Sequence, residues 1–365
     1  MTIIVLLIFT LCLLVQVYFF VQFSIVLRSD NLENDKGSNS VSVIIAARNE
    51  ANNLAELLEQ LTKQDHSSFE VILVNDRSID STRDIAKEYT SKYANFHLVD
   101  ILELPGSWTG KKHALYRGVE QAKNDILLFT DADCLPTSER WITEMTKPFI
   151  STVDIVLGLS PYQKRSGCLN QFVQFETLFV AMQFSSFTRL GRPYMGLGRN
   201  MAIRANKYDL RLLRNFSSLE GGDDDLMVNN IATKENTVVI THKDSQTISI
   251  PKNVWRDYFR QKIRHLSVGK HYHKKDRTLL AFFTLSFLFG WLLFLSLLVS
   301  AINPYFILTA FALRSLSFYV IFARIGQKLE SPINFWAIPL LDLCYSIYYP
   351  IIGLKALLTK NIQWK

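Results

Sequence analysis

Cysteine is scarce in this sequence. The 365 residues hold four, Cys12, Cys134, Cys168 and Cys344, and none forms a Cys-x-x-Cys pair. That excludes a disulfide framework and a cysteine-built zinc site. Charge is missing altogether from Met1–Leu27 and from Leu279–Ile302. Each run reaches the roughly 20 residues that cross a bilayer and exceeds ordinary core-helix length, so both are expected to span a membrane. The first run also lacks a preceding basic residue and an Ala-x-Ala-like cleavage site. This argues against a cleaved signal peptide and for a retained anchor. No internal repeat and no low-complexity segment is present, so the chain is not a stack of copies of one unit.

What is present is apolar and basic: 48% of residues are hydrophobic, 12% aromatic, and the formal net charge is +7. Two further apolar runs, Tyr305–Ala323 and Ile333–Leu354, carry one charge each, Arg314 and Asp342. Charges inside such segments face a cavity or each other. The chain divides into an N-terminal anchor (1–27), a linker (28–40), an α/β domain (41–250), a basic amphipathic stretch (251–278), two to three C-terminal membrane segments (279–356) and a basic tail (357–365). Basic residues from Lys252 to Arg277 flank the membrane runs on the side of the domain. By the positive-inside rule the domain is cytoplasmic, in a multi-pass protein of the cell membrane. The loop with Arg324 and Lys328 is expected on that side and Asn303-Pro304 opposite. Strict alternation would export Lys355, Lys360 and Lys365, and the last run holds Asp342, Pro339 and Pro350. Whether that run spans, re-enters or lies at the interface stays open.

Within the polar block, Val41–Ala47 and Glu70–Asp76 are short, β-branched and apolar, the mark of buried strands. Glu50–Lys63, with Leu54, Leu57, Leu58 and Leu61 at helical spacing, reads as a helix, as do Ser81–Tyr93 and Lys111–Ala122. A strand is expected near Phe96–Val99, and the apolar run before Asp131 is another. This alternation predicts a doubly wound, mostly parallel sheet. Right-handed crossovers then bring the strands' carboxyl ends to one edge, where ligands bind. Arg48-Asn49-Glu50, Asp76-Arg77-Ser78 and Asp131-Ala132-Asp133 all fall just after strands and are expected to converge there.

Asp131 and Asp133, one residue apart where a strand leaves the core, can direct two carboxylates at one point. A hard divalent cation, Mg²⁺ or Mn²⁺, takes such ligands while bridging diphosphate oxygens. The plain alternative is an Asx turn that ends the strand. Glu220–Met227 is a second acidic cluster. Its three successive carboxylates, Asp223 to Asp225, need a shared cation or proton, or else form a solvated turn at Gly221-Gly222.

VSVIIAARNE, EVILVNDRSID, LPGSWTGKKHAL and LLFTDADC, in this order, resemble the family 2 glycosyltransferases of GT-A fold. The resemblance is closest to the membrane-anchored branch with the ceramide glucosyltransferases and the bacterial carotenoid- and hopanoid-associated enzymes. It implies that Ala47, Arg48 and Glu50 hold the nucleotide's base and ribose, that Asp76 contacts the nucleotide, and that Lys111 lies near the diphosphate. Asp131 and Asp133 then match the D-x-D, its last acid meeting the metal. An acid three positions before Leu acts in the family as general base toward the acceptor hydroxyl. Matching on Leu226 selects Asp223, with Asp224 second; Gly222 stands where the family usually has Glu. GLGRNMAIRA resembles the segment shaping the acceptor pocket, with Gly196 and Asn200 as candidates. QKIRH resembles the family's Q-x-x-R-W element, with Gln261 and Arg264 toward the diphosphate and His265 in place of Trp. The same stretch, Trp255 to Lys275, also reads as an interfacial helix suited to anionic lipid.

The function implied is inverting, metal-dependent sugar transfer from a nucleotide-diphosphate sugar to a lipid or lipid-linked hydroxyl. A processive polysaccharide synthase is the alternative, disfavoured by the few C-terminal segments and by His265. A non-catalytic nucleotide-binding membrane protein is the other, disfavoured by both acidic clusters. No nucleic-acid partner is called for, and the oligomeric state is left open.

Overall fold

The computed structural model describes residues 2–28, 39–149, 151–300, 303–329 and 333–359. From the N-terminus the elements are α1 (Thr2–Val26), β1 (Val41–Ala47), α2 (Ala51–Thr62), β2 (Phe69–Asp76), α3 (Thr82–Lys92), β3 (Phe96–Ile101), α4 (Gly110–Gln121), β4 (Ile126–Asp131), β5 (Cys134–Pro136) and α5 (Trp141–Thr146). Next come β6 (Ile155–Leu157), α6 (Cys168–Arg189), β7 (Met201–Arg204), α7 (Leu210–Asn215), α8 (Asp225–Ile231), β8 (Thr237–Val239) and β9 (Thr247–Ser249). The chain closes with α9 (Trp255–Ser267), α10 (Lys274–Leu298), α11 (Pro304–Lys328) and α12 (Ile338–Leu358). Two compact units result, one α/β and one helical.

The α/β unit draws on residues 30–163 and 191–251. Its seven-stranded sheet has the order β3-β2-β1-β4-β7-β6-β8. The first four strands are mutually parallel, and β7 runs antiparallel to both β4 and β6. The continuous apolar runs of the sequence sit where a sheet is covered on both faces. Val41, Val43, Ile44 and Ile45 of β1 and Val71, Ile72 and Val74 of β2 are fully buried. Leu54, Leu57, Leu58 and Leu61 of α2 close over one face. Each such side chain contributes about 1.5–3 kcal/mol relative to exposure. The β1–β2 register sets Ala47 beside Asn75, and the β1–β4 register sets Ala46 beside Asp131. The expected loops therefore do leave one edge together.

The helical unit draws on the N-terminal helix, residues 164–190 and the chain from 252 onward. Sequence reading places 164–190 inside the α/β domain. Instead that stretch forms α6, buried along nearly its whole length, because its Phe and Leu residues face helices rather than a sheet. Phe179 packs on Phe287 at 5.0 Å and on Tyr345 at 4.5 Å, and Phe187 packs on Phe19 at 5.1 Å. Four helices in this unit, within Ile3–Val26, Lys274–Leu298, Pro304–Lys328 and Phe335–Leu358, are long and apolar enough to cross a membrane. The last is continuous through Pro350. Arg314 and Asp342 are buried and paired with each other. The guanidinium also donates to Gln16, Trp291 donates to Asp342 at 3.0 Å, and Gln16 donates to the Ser286 carbonyl at 2.7 Å. One polar knot thus joins α1, α10, α11 and α12.

Candidate active site

The loops after β1 and β2 form one side of the sheet edge. Asn49 and Arg77 have φ of 55° and 54°, the non-glycine residues with positive φ among those described. Such backbone is costly for a long side chain and collects at functional edges. The two loops hold each other in that shape. Asn49 accepts from Ile79 N at 2.9 Å, Ser78 Oγ accepts from Asn49 N at 3.0 Å, and Thr82 Oγ1 accepts from Glu50 N at 2.8 Å. Ala47 ends β1 and is buried, while Arg48 and Glu50 are half-buried beyond it. Asp76 is buried and accepts both Nε and an Nη hydrogen of Arg77, at 2.7 and 3.2 Å. That bond raises the Arg77 guanidinium above its ordinary range.

The two acidic clusters meet at a single ammonium. Lys111, in the first turn of α4, donates to Asp131 Oδ1 at 2.8 Å and lies 3.5 Å from Asp223 Oδ2. Burial by itself would push this ammonium down. Asp131, Asp223 and Asp224 outweigh it and hold the group above the ordinary lysine range. Gly221 and Gly222, at φ of 83° and 77°, make the left-handed turn that presents the second cluster. Asp224 caps α8 by accepting from Asp225 N at 2.8 Å, and it also accepts from Gly198 N at 2.7 Å. A Cβ at position 198 would stand 2.9 Å from Asp224 Oδ2, so that approach requires glycine. Burial, then the neighbouring Asp223, raises the Asp224 carboxyl above the usual carboxylate range.

Burial also raises the Asp133 carboxyl, with the charges of Asp131 and Glu50 adding to it. A cation relieves such crowding. Ligand atoms of Asp131, Asp133 and Cys134 all lie within 4.8 Å of one another, close to the spread of oxygen donors about 2.0–2.5 Å from one ion. The Cys134 sulfur is turned to Asp133 and Ser249, 3.5 and 3.0 Å away, and is a soft donor that Mg²⁺ and Mn²⁺ do not favour. The donors that fit are therefore the two carboxylates, a hard set suited to Mg²⁺ or Mn²⁺.

The segment Gly196–Asn200 packs behind this cluster. Asn200 is fully buried, and its amide is engaged on every side. It donates to the carbonyls of Leu159 and Ser245 at 2.7 and 2.8 Å and accepts from Trp141 Nε1 at 3.0 Å. A Cβ at Gly196 would come within 2.8 Å of the Met201 sulfur, so this glycine serves close packing. Between them sits Arg199, which sequence reading passed over although it lies in the quoted motif. Its guanidinium donates to the Tyr162 hydroxyl at 2.9 Å and the Ser160 carbonyl at 3.0 Å, and its charge acts on Asp131 and Asp133. Lys112 was passed over as well. It is buried and donates to the carbonyls of Phe216 and Leu219 at 2.8 and 2.6 Å, tethering the loop that leads to Asp223. Burial pushes its ammonium down to about 8, against the pull of Asp223. Gln261 and Arg264 are half-buried on α9 of the helical unit. That helix is fastened to α6 by Glu176, which accepts from Tyr258 and pairs with Lys262, each at 2.5 Å.

Residues 42–204 match the family model described as glycosyl transferase family 2. This stretch is a family 2 glycosyltransferase domain. Glycosyltransferase AglE of Haloferax volcanii is 30% identical to this chain over 171 residues, 46% of this chain and 51% of that protein. The 4,4'-diaponeurosporenoate glycosyltransferase of Staphylococcus haemolyticus is 38% identical over 104 residues, 28% of this chain and 27% of that protein. The chain thus spans about half or less of the curated relatives it matches. Among solved structures, mannosyltransferase PcManGT from Pyrobaculum calidifontis, in complex with GDP-Man and Mn2+, matches with a TM-score of 0.54. Identity is 19%, over 97% of this chain and 94% of that one, a likeness of fold. The mostly parallel sheet of the family 2 domain is that of the GT-A glycosyltransferases.

Proposed function

We propose that this chain is a membrane-bound, inverting glycosyltransferase. It takes a sugar from a nucleotide-diphosphate donor and gives it to a lipid or lipid-linked hydroxyl, at the cytoplasmic face of the cell membrane. The observation that carries the reading is the convergence of Asp131 and Asp223 on Lys111. Residues more than 90 positions apart in sequence, one set suited to a donor's metal and one to an acceptor's proton, share one pocket edge. Mannosyltransferase PcManGT, with the same fold, carries GDP-Man and Mn2+. The apolar helices keep the chain beside a source of lipid.

In this reading Ala47, Arg48, Glu50 and Asp76 receive the base and ribose, and Lys111 faces the diphosphate. Asp131 and Asp133 would hold Mg²⁺ or Mn²⁺, which supplies positive charge to the departing diphosphate. Asp223 takes the proton of the acceptor hydroxyl. Both oxygens of Asp224 are held by backbone N–H groups, which makes Asp224 the residue that shapes the turn. One base and one displacement give inversion at the sugar carbon. Gly196 and Asn200 support the acceptor wall from behind.

Replacing Asp223 with Asn tests this in the detergent-solubilised chain. Transfer from a nucleotide sugar should fall about 10²–10⁴-fold, the range for loss of a general base. Binding of the donor should persist. Unchanged turnover would remove Asp223 from the mechanism.

A further inference from the structure

Asp133 stands at the end of a file of buried hydrogen-bond donors that its sequence neighbourhood does not announce. The Cys134 thiol donates to Asp133 Oδ1 at 3.5 Å, and its sulfur lies 3.0 Å from Ser249 Oγ. Ser249 Oγ is 3.2 Å from Ser160 Oγ, which accepts from Thr247 Oγ1 at 2.9 Å. Thr247 shares its one hydrogen between that hydroxyl and the Arg199 carbonyl at 3.1 Å. All four of these residues are buried. The sheet explains the contacts: Cys134 and Ser249 are opposed in the β5–β9 ladder, and Thr247 lies two residues back on the same face of β9.

An ionised carboxylate only accepts, and each hydroxyl or thiol has one hydrogen to give. With Asp133 at one end, every hydrogen in the file must point the same way. Thr247 gives to Ser160, Ser160 to Ser249, Ser249 to Cys134, and Cys134 to Asp133. Such a file is cooperative and geometrically strict. Groups of this kind orient metal-binding carboxylates and tune them.

We infer that the file from Thr247 through Ser160, Ser249 and Cys134 positions Asp133, holding one carboxylate oxygen so that the other faces a divalent cation. The inference rests on the metal reading of Asp131 and Asp133 given above, and makes Cys134 a positioning residue rather than a ligand. Glue between β5 and β9 alone would account for the contacts, so the test separates orientation from stability.

The probe is Mn²⁺ alone, its affinity for the full chain in detergent followed by the electron paramagnetic resonance of the free ion. Removing the donor in C134A, or breaking the file in S249A, should weaken Mn²⁺ binding about 10-fold, the lower end for such neighbours of a metal site. C134S, which keeps a hydrogen to give, should restore most of the affinity. Unchanged affinity in both C134A and S249A, each shown folded by circular dichroism, overturns the inference. A near-ultraviolet charge-transfer band on Cd²⁺ addition, lost in C134S, would make the sulfur a ligand and overturn it too. D133N separates the two layers: retention of wild-type Mn²⁺ affinity would sink the metal reading together with the file. Loss in D133N without loss in C134A and S249A would sink the file alone.

Discussion

Asp133 is a carboxylate whose ionised form the fold disfavours, since burial and the charges of Asp131 and Glu50 raise it. Asp224 is raised for similar reasons. A carboxyl with a folded value above its unfolded one favours the fold in acid, and loses that contribution as pH rises through the raised value. In the absence of metal, these two groups should make the protein less resistant to heat as pH climbs above the ordinary carboxylate range. On the proposed metal reading Mn²⁺ takes the ionised form of Asp133, so its stabilising shift in melting temperature should grow over the same rise in pH. Differential scanning fluorimetry with and without Mn²⁺ checks this; a metal shift that shrinks with rising pH would contradict it. At this scale the sequence was informative where function follows a strand end. Asp76 and Asp131 could be named because buried apolar runs announced the edge, and Lys111 through the family resemblance. Cys134, Ser160, Ser249 and Arg199 could not, because their contacts come from strand pairing and loop crossings between segments 37 to 115 positions apart. Asn200 was legible as a special residue but not as a buried one, since its partners are backbone carbonyls from two distant loops.

The helices show a different balance. Arg314 of α11 and Asp342 of α12 are each costly in an apolar setting, and each is made tolerable by the other. Arg314 is ringed by Phe20, Phe287, Phe311 and Phe318, all within 6 Å of its guanidinium carbon. R314L alone leaves Asp342 buried without a cation and should destabilise the chain by about 3–5 kcal/mol. The double variant R314L/D342L removes both charges and should recover most of that loss. Denaturant titration in detergent micelles compares the three proteins; equal losses in the single and double variants would show that the pair is not what matters. Helix and strand periodicity placed α2, α3 and α4 within a residue or two of their observed ends. It misplaced α6. This helix is buried on nearly every side, polar Gln174, Glu176 and Gln183 included, so no clean stripe says which neighbour it belongs to; its contacts with α1, α10, α11 and α12 do so.

For the molecule as a whole, the open question left by the charges is the side on which the last helix emerges. The helix is unbroken over Ile338–Leu358 and tied by Asp342 to α11 and α10. With four crossings, a reporter fused after Thr359 should emerge opposite the α/β unit, despite Lys355. Alkaline phosphatase active at that junction, with a fluorescent protein dark there, would agree; the reverse pattern would make α12 re-entrant. Assembly order adds a constraint of another kind. The helical unit takes α6 from the middle of the chain, while two of the aromatic residues that cover it, Tyr345 and Phe287, come much later. Roughly 150 residues separate Arg189 from Tyr345, about ten to thirty seconds of synthesis at ordinary ribosomal speed. Through the first part of that interval the nascent α6 has only α1 to lean on, until α9 and α10 emerge. A cell making this protein must keep a half-clothed aromatic helix from sticking elsewhere until translation catches up.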